Sequence, residues 1–206
     1  MLSIALTGNF GMGKTTVLKL FGKLGVYIFN IDNYVHEILD KPEYISMIAD
    51  VLGDNVLNKT PGSNSLDKKR IADIIFNNSK KRKLIEEIIH PEVFRKIKAD
   101  ESKINDKNSS AIVMFEVPLL FECGYENNFD RTIVVYCKRD STVRRLIKKG
   151  FSKEQITKRL RAQMPITFKT RMADFSINNS NSLMETGLQV ERIFGRILKD
   201  RTPSIS

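Results

Sequence analysis

Short apolar runs alternate along the chain with longer segments in which apolar residues recur at helical spacing. Five such runs predict strands, at residues 2–7, 26–31, 111–115, 132–137 and 175–177. Their nearly continuous apolar character is typical of strands that are buried on both faces of a parallel sheet. The alternation of strands and helices predicts an α/β fold, a doubly wound parallel sheet of about five strands flanked by helices.

The predicted helices differ in how clearly they are bounded. From residue 33 to 76 the pattern is helical in pieces, with breaks at Pro42, Gly53 and a turn-rich stretch over 59–64. Better-bounded helices are predicted over residues 79–89, 91–103, 140–149, 152–163 and 183–199.

A glycine-rich loop joins the first predicted strand to a helix that carries apolar residues at positions 17, 20, 21 and 24. The loop matches the pattern G-x-x-x-x-G-K-[ST], and in this context its backbone N–H groups wrap nucleotide phosphates. Lys14 is expected to reach the β- and γ-phosphates, and the Thr15 hydroxyl to hold Mg²⁺. The alternative is a glycine-rich turn without a ligand. We predict nucleotide contacts from Gly8, Asn9, Phe10, Gly11, Met12, Gly13, Lys14, Thr15 and Thr16.

Composition narrows the classes of protein. With 206 residues, 41% of them hydrophobic and 28% charged, the chain is typical of one globular domain with a modest insertion. No apolar run approaches the roughly 20 residues that span a bilayer, and the amino-terminal strand does not resemble a signal peptide, so we expect a cytoplasmic protein. Two cysteines and two histidines argue against a disulfide, a zinc site or a histidine-based nucleophilic site.

The excess of positive charge lies in one segment. Residues 138–171 contain twelve Lys or Arg and two acidic residues, which accounts for the full net charge of +10. A solvated helix face, a nucleic-acid-binding patch and a mobile lid over polyphosphate all fit such a segment. Because the chain already has a phosphate loop, we favour the lid, whose cations would approach the γ-phosphoryl group while the lid excludes water.

Two acidic residues follow predicted strands. Asp32 comes just past the second strand and Glu116 just past the third. Because ligands gather at the carboxyl ends of parallel strands, we expect both side chains to face the phosphate loop. A carboxylate there can accept a proton from a hydroxyl or hold Mg²⁺. The alternatives are a helix N-cap for Asp32 and a solvent-facing strand end for Glu116.

Further motifs accompany the phosphate loop in a fixed order. They are Leu6–Thr16, Phe21 with Leu24–Gly25, Asn30–Asp32, Leu66–Lys68 with Ile71 and Phe76, His90–Pro91, Val117–Glu122, Arg159 with Gln163, and Ala173–Asn179. Together they resemble the dephospho-CoA kinase family, from residue 2 to about residue 198. Most of these motifs are weak singly, and their shared order and spacing carry the resemblance.

The resemblance implies a P-loop kinase that transfers the γ-phosphoryl group of ATP to the ribose 3′-hydroxyl of dephospho-CoA, with Mg²⁺, in the last step of coenzyme A biosynthesis. It implies a single domain over residues 1–206, a monomer or weak homo-oligomer, with neither nucleic acid nor membrane as a partner. The parts of this domain are a core of 1–32, 105–137 and 172–206, a helical acceptor-binding region of 33–104, and a lid of 138–171.

The resemblance also assigns roles to residues. Asp32 matches the proposed base for the acceptor hydroxyl, and Asn178 lies in a motif placed near the adenine. Acceptor contacts are expected from Asp32, Lys68, His90, Pro91, Leu119 and Glu116, and catalytic cations from Lys14, Arg144, Arg145 and Lys149. Plainer interpretations stay open for two motifs, with Pro91 as the first residue of a helix and Ala173–Asp174 as a strand start.

The chain departs from the family pattern at several positions. Asn30 replaces the first aspartate of an Asp-x-Asp motif, which leaves Asp32 without a carboxylate partner two residues earlier. Lys68 and Lys149 stand where arginine is usual, and lysine lacks the planar fork that binds two phosphate oxygens. Thr142 replaces a glutamine, and Asn9 replaces a frequent glycine.

Other functions remain to be weighed. A GTPase is disfavoured because Asn58-Lys59-Thr60-Pro61 lacks the aspartate of the guanine-reading motif. Another P-loop nucleoside, nucleotide or small-molecule kinase would share the loop and lid without the full ordered motif set. A nucleic-acid-binding protein would instead bind DNA or RNA in a salt-sensitive way without ATP.

Overall fold

A computed structural model describes residues 1–58 and 65–201 of the chain. The turn predicted over residues 59–64 lies outside these described residues. The chain divides into two compact units, one formed by Met1–Asn30 with Lys107–Ser206 and the other by Ile31–Asp106. The stretch 33–104, predicted as a helical region, falls within the second unit.

The first unit contains the parallel sheet that the apolar runs predict. Its strands, within the described residues, are Leu2–Thr7 (β1), Tyr27–Asn30 (β2), Ile112–Glu116 (β3), Arg131–Tyr136 (β4) and Phe175–Asn178 (β5). They lie in the order β2-β3-β1-β4-β5, with every neighbouring pair parallel. Leu6 pairs in register with Glu116 and with Ile133, so the carboxyl ends of β1 and β3 meet at one edge of the sheet.

Helices occupy most of the remaining described residues. They are Lys14–Lys23 (α1), Ile31–Leu39 (α2), Pro42–Leu52 (α3), Lys68–Asn77 (α4), Ser79–Lys107 (α5), Arg139–Lys148 (α6), Lys153–Arg161 (α7), Ile166–Met172 (α8) and Leu183–Arg201 (α9). Among these residues, no helix is both long and apolar enough to cross a bilayer.

The core of the first unit joins the sheet to α1 and α9. Alternate residues of β1, Ile4 and Leu6, are fully buried in the same cluster as Phe21 of α1 and Val190 of α9. This alternation follows from the period-two geometry of a strand, and burial of each such side chain stabilises the fold by about 1.5–3 kcal/mol. The core thereby fixes the start of α1 against the end of β1, where the phosphate loop lies.

Two of the predicted helix boundaries are wrong. The structure has one helix, α5, where we predicted helices over residues 79–89 and 91–103, and Pro91 lies inside it. Proline removes one backbone donor and normally favours a break. Here Ile89 and Val93, on either side of Pro91, are both buried, so packing holds the helix together across the proline. Pro91 is therefore not the first residue of a helix.

The basic segment contains one helix more than predicted. Ser152 begins α7 with a capping box in which its side chain accepts from the Gln155 backbone, in line with the predicted helix start. Pro165 is not only the stop after this helix but also the N-cap of α8. The proline ring restricts φ, and the value of −54° at Pro165 is compatible with the start of a helix at the next residue.

The two cysteines are free thiols. Cys137 is buried and Cys123 is half-buried.

Candidate nucleotide-binding site

The glycine-rich loop connects β1 to α1 by a path that only glycine can follow. Gly11 and Gly13 have φ values of +78° and +89°, in the region that disfavours residues with a Cβ atom. A Cβ atom at Gly8 would lie 2.3 Å from the Val135 carbonyl oxygen, and one at Gly13 would lie 2.0 Å from Asn179 Nδ2. At Gly8 and Gly13 the loop therefore packs too closely against β4 and the segment after β5 to leave room for a side chain.

A pocket of about 490 Å³ opens beside this loop. Its lining brings together the second half of the loop, the end of β3, the basic segment and the segment that leads into α9. The lining residues are Gly11, Gly13, Lys14, Thr15, Thr16, Glu116, Arg145, Leu146, Lys148, Lys149, Asn179, Asn181 and Leu183. Backbone N–H groups at a helix N-terminus together with several cations favour a polyanionic ligand.

The loop residues divide into two sets. Of the residues predicted to contact nucleotide, Gly11 and the stretch from Gly13 to Thr16 line the pocket. Asn9 and Met12 are instead buried, at 4% and 5% exposure, and Phe10 is half-buried. The first half of the loop, Gly8 to Phe10, thus contacts protein, whereas the second half, Gly11 to Thr16, lines the pocket at every residue except the buried Met12.

Glu116 lies against the threonine that was predicted to hold Mg²⁺. The Thr15 hydroxyl donates to Glu116 Oε2 at 3.0 Å, and the Asn30 side-chain amide donates to the same oxygen at 3.5 Å. Glu116 is the last residue of β3 and only 4% exposed, so the alternative of a solvent-facing strand end is wrong. Asn30, a departure from the family pattern, acts here as a hydrogen-bond donor, which an aspartate carboxylate could not.

The basic segment contributes some of its predicted cations to the pocket. Arg145 and Lys149 are among the lining residues, whereas Arg144, on the exposed surface of α6, is not. Lys148 lines the pocket although we did not select it. The guanidinium of Arg145 also approaches the sulfur of buried Cys137, at 3.6 Å. Helical spacing alone did not indicate which of these cations face the loop.

The segment around β5 places a different asparagine at the pocket. Asn178, predicted to bind nucleotide, is absent from the lining. Its backbone N–H donates to Gln189 Oε1, and its backbone carbonyl accepts from Gln189 Nε2. Its neighbour Asn179 lines the pocket and donates from Nδ2 to the Met12 carbonyl at 2.9 Å. Thr186 fixes the orientation of that amide by donating to Asn179 Oδ1. Asn178 and Asn179 are equally polar in sequence, so only the strand register distinguishes them.

Asp174 has a structural role at the other end of the strands. Its carboxylate accepts from both the backbone and the hydroxyl of Thr132, at 2.7 and 2.8 Å. Because Asp174 precedes β5 and Thr132 lies early in β4, this contact joins the amino ends of two strands. The plainer interpretation of Ala173–Asp174 as a strand start describes this position.

The predicted acceptor residues of the second unit lie on its helices. Asp32 is exposed and is the second residue of α2, not the N-cap that precedes a helix. Lys68 forms an ion pair with Asp40 at 2.9 Å. His90 is half-buried on α5, and burial lowers the pKa of its imidazole, while Pro91 beside it is exposed. Leu119, which belongs to the first unit, is also exposed.

The family model described as dephospho-CoA kinase matches residues 2–185. The chain belongs to the dephospho-CoA kinase family. A dephospho-CoA kinase from Aquifex aeolicus (strain VF5) is 34% identical over 202 residues, which is 97% of this chain and 100% of the relative. The resemblance inferred from the ordered motifs is thereby confirmed.

Solved structures agree with this family. A crystal structure of a Thermus thermophilus protein matches with a TM-score of 0.81 and 28% identity, and the match covers 98% of each chain. A dephospho-CoA kinase from Campylobacter jejuni matches with a TM-score of 0.68 and 28% identity, over 97% of this chain and 98% of that one. The predicted fold, a P-loop kinase with a parallel sheet flanked by helices, is confirmed.

Proposed function

We propose that this chain transfers the γ-phosphoryl group of ATP to the 3′-hydroxyl of the ribose of dephospho-CoA. The observation that carries the proposal is the pocket beside the glycine-rich loop, which is lined by Lys14, Arg145 and Lys149. The chain that contains this pocket belongs to the dephospho-CoA kinase family. Such a site suits a triphosphate ligand, and membership of the family indicates that the acceptor is dephospho-CoA. The product would be coenzyme A.

The donor side of the reaction relies on positioning and charge. In our proposal the loop amides and Lys14 hold the phosphates of ATP, and Arg145 and Lys149 neutralise the charge that develops on the transferred group. Lys148, which lines the same pocket, would add to this field. Transfer would be direct and in line, without a phosphoenzyme, because a nucleophile held at the γ-phosphorus needs no covalent intermediate.

The residues at the loop fit a Mg²⁺ ion that arrives with the nucleotide. Thr15 Oγ1 and a Glu116 carboxylate oxygen lie 3.0 Å apart, which gives oxygen donors of the kind that Mg²⁺ prefers. Across residues 1–58 and 65–201, no group of three or more His, Cys, Asp or Glu could form a dedicated metal cage. Mg²⁺ usually keeps several waters and uses one or two protein oxygens plus substrate phosphates, so this sparse set suits it. When bound, the ion would neutralise phosphate charge.

The acceptor side is assigned to the second unit. Asp32 would orient the ribose hydroxyl and accept its proton, and its position at the start of α2, two residues beyond the end of β2, supports this role. Lys68, His90 and Pro91 would contact dephospho-CoA, together with Leu119. Glu116, which we first assigned to the acceptor, is better suited to the metal because it is bonded to Thr15.

We further infer a cytoplasmic enzyme that acts as a monomer or weak homo-oligomer and has no nucleic-acid partner. A cytoplasmic enzyme would have access to ATP. We expect no nucleic-acid partner because ATP would already supply a phosphate ligand to the cations of the pocket.

The test is release of ADP from ATP and Mg²⁺ with a panel of acceptors. We expect dephospho-CoA to stimulate ADP release far more than nucleosides, nucleoside monophosphates or RNA at equal concentration. Stimulation by a different acceptor would favour another P-loop kinase. Tight, salt-sensitive binding of RNA without ADP release would favour the nucleic-acid-binding alternative.

A further inference from the structure

The first half of the phosphate loop is hydrogen-bonded to the connector between α7 and α8, residues 162–165. The Phe10 backbone N–H donates to Gln163 Oε1 at 2.8 Å, and the Asn9 side-chain amide donates to the Met164 carbonyl at 3.0 Å. Both bonds join residues more than 150 positions apart. The Phe10 N–H is therefore directed to protein, and the pocket-facing amides belong to the second half of the loop.

The connector is held in turn by an ion pair whose lysine is buried. The Met164 backbone N–H donates to Glu122 Oε1 at 3.0 Å, and the same oxygen lies 2.7 Å from Lys169 Nζ. Glu122 follows β3 in the Val117–Glu122 motif, and Lys169 lies on α8. A chain of contacts thus runs from Lys169 through Glu122 and Met164 to Asn9.

Burial makes this ion pair unusual among the described salt bridges. Lys169 is completely buried, whereas the lysine and arginine side chains of the other described pairs are 24–72% exposed. A buried ammonium group is unfavourable unless a carboxylate compensates it. The pair therefore ties α8 to the segment after β3 in one arrangement, because separating them would leave Lys169 uncompensated.

An aromatic cluster adds a further contact between the loop and the basic segment. The rings of Phe10 and Phe151 meet edge to face with centroids 5.1 Å apart. The guanidinium of Arg159 lies 4.9 Å from the centroid of Phe10 and 5.2 Å from that of Phe151. Arg159 is thus engaged with the rings and is not among the residues that line the pocket.

We infer that Gln163, Glu122 and Lys169 are positioning residues, which hold the first half of the phosphate loop so that its second half is preorganised for the nucleotide. This inference rests on the proposed function only in that the pocket binds ATP, and it does not depend on the acceptor. Preorganisation lowers the cost of ordering a loop at the moment of binding. Replacement of one of these positioning residues should therefore weaken nucleotide binding without removing any group that contacts the nucleotide.

The sharpest test replaces Gln163 with methionine, which keeps the length of the side chain and removes the acceptor for Phe10. We expect the Kd for MgADP, measured by calorimetry, to rise roughly tenfold. Hydrogen exchange at the Phe10 amide should accelerate in the same variant, in the absence of nucleotide. The matched control is Gln155→Met, because the Gln155 side chain is bonded only locally, within the capping box of α7, among the contacts described.

A second variant tests the ion pair. We expect Lys169→Met to raise the Kd for MgADP at least as much as Gln163→Met does, with Lys153→Met, on the exposed surface of α7, as its control for lost charge. If Lys169→Met does not fold, the Gln163 variant decides. An unchanged Kd in folded Gln163→Met, even with a lower Tm, would overturn the inference. Failure of the wild-type chain to bind MgADP would overturn the proposed function as well.

Discussion

Two groups of charged residues, one in each compact unit of the chain, are arranged differently. In the first unit, Arg145, Lys148 and Lys149 surround a pocket beside a glycine-rich loop. In the second, Glu92 accepts from both Lys41 and Arg95, so charges of opposite sign satisfy one another. Charges that converge on a pocket stabilise a ligand, whereas charges paired within a unit stabilise its fold.

Asp32 belongs to the second unit, but we assign its charge to catalysis and not to the stability of the fold. We expect Asp32→Asn to lower kcat about a thousandfold, because the amide cannot accept the proton of the ribose hydroxyl. The Kd for MgADP should stay within about twofold of wild type, since the phosphate loop is unchanged. Asp50→Asn, which changes an exposed carboxylate of α3, is the control. Near-wild-type turnover in Asp32→Asn would remove Asp32 from the role of base.

Arg144 and Arg145 offer a smaller and more local test, because only the second lines the pocket. We expect Arg145→Ala to lower kcat about a hundredfold, by removing a donor that stabilises charge on the transferred group. Arg144→Ala should lower kcat less than about tenfold, as expected for a more distant charge. Steady-state kinetics at saturating ATP and dephospho-CoA measure both. Equal losses in the two variants would mean that the field of the whole segment, and not the pocket geometry, decides catalysis.

Glu92 tests the opposite side of the contrast. It is 8% exposed, and hydrogen bonds from Arg95 and Lys41 lower the pKa of its carboxyl to about 2. Glu92→Gln should lower the free energy of unfolding at pH 7 by about 1–2 kcal/mol, the loss of charged hydrogen bonds. Turnover per folded molecule should stay within about twofold of wild type, because Glu92 has no role in the proposed phosphoryl transfer. Glu87→Gln, exposed on the same helix, is the control.

The pH dependence of the Glu92 effect has a definite sign. A carboxyl whose folded pKa is depressed contributes stability above its unfolded pKa, near 4.5, and loses it as pH falls toward the folded value of about 2. The difference in unfolding free energy between wild type and Glu92→Gln should therefore be full at pH 7 and shrink between pH 4.5 and 2. Urea unfolding at several pH values measures it, and a difference that grows on acidification would contradict the assignment.

The phosphate loop and the elements around it could be predicted from the sequence alone, for a physical reason. Eight consecutive residues, 8–15, build the phosphate loop, so one local pattern specifies strand, loop and helix together. In the structure, Lys14 and Thr15 of this loop line the pocket. The strands could be predicted as well, because their burial is written into continuous apolar runs.

Features that depend on register or distant packing could not be predicted. The strand-end rule predicted that Glu116 faces the phosphate loop, but not its hydrogen bond with Thr15, which joins residues 101 positions apart and follows from the pairing of β1 with β3. The choice of Asn179 over Asn178 depends on where β5 ends, and the continuity of α5 through Pro91 depends on burial of its neighbours. Local propensity favours the other outcome at Pro91, and tertiary packing prevails over it.

We propose that the phosphoryl group passes from ATP to the ribose 3′-oxygen of dephospho-CoA. The most direct measurement follows ADP release and product mass with dephospho-CoA and with its 3′-deoxy analogue, under the same Mg²⁺ and ATP concentrations. Our account predicts one phosphate added to dephospho-CoA, on the 3′-oxygen by nuclear magnetic resonance, and no acceptor-dependent ADP from the analogue. Phosphorylation of the 3′-deoxy analogue, or no acceptor-dependent ADP from dephospho-CoA, would contradict it.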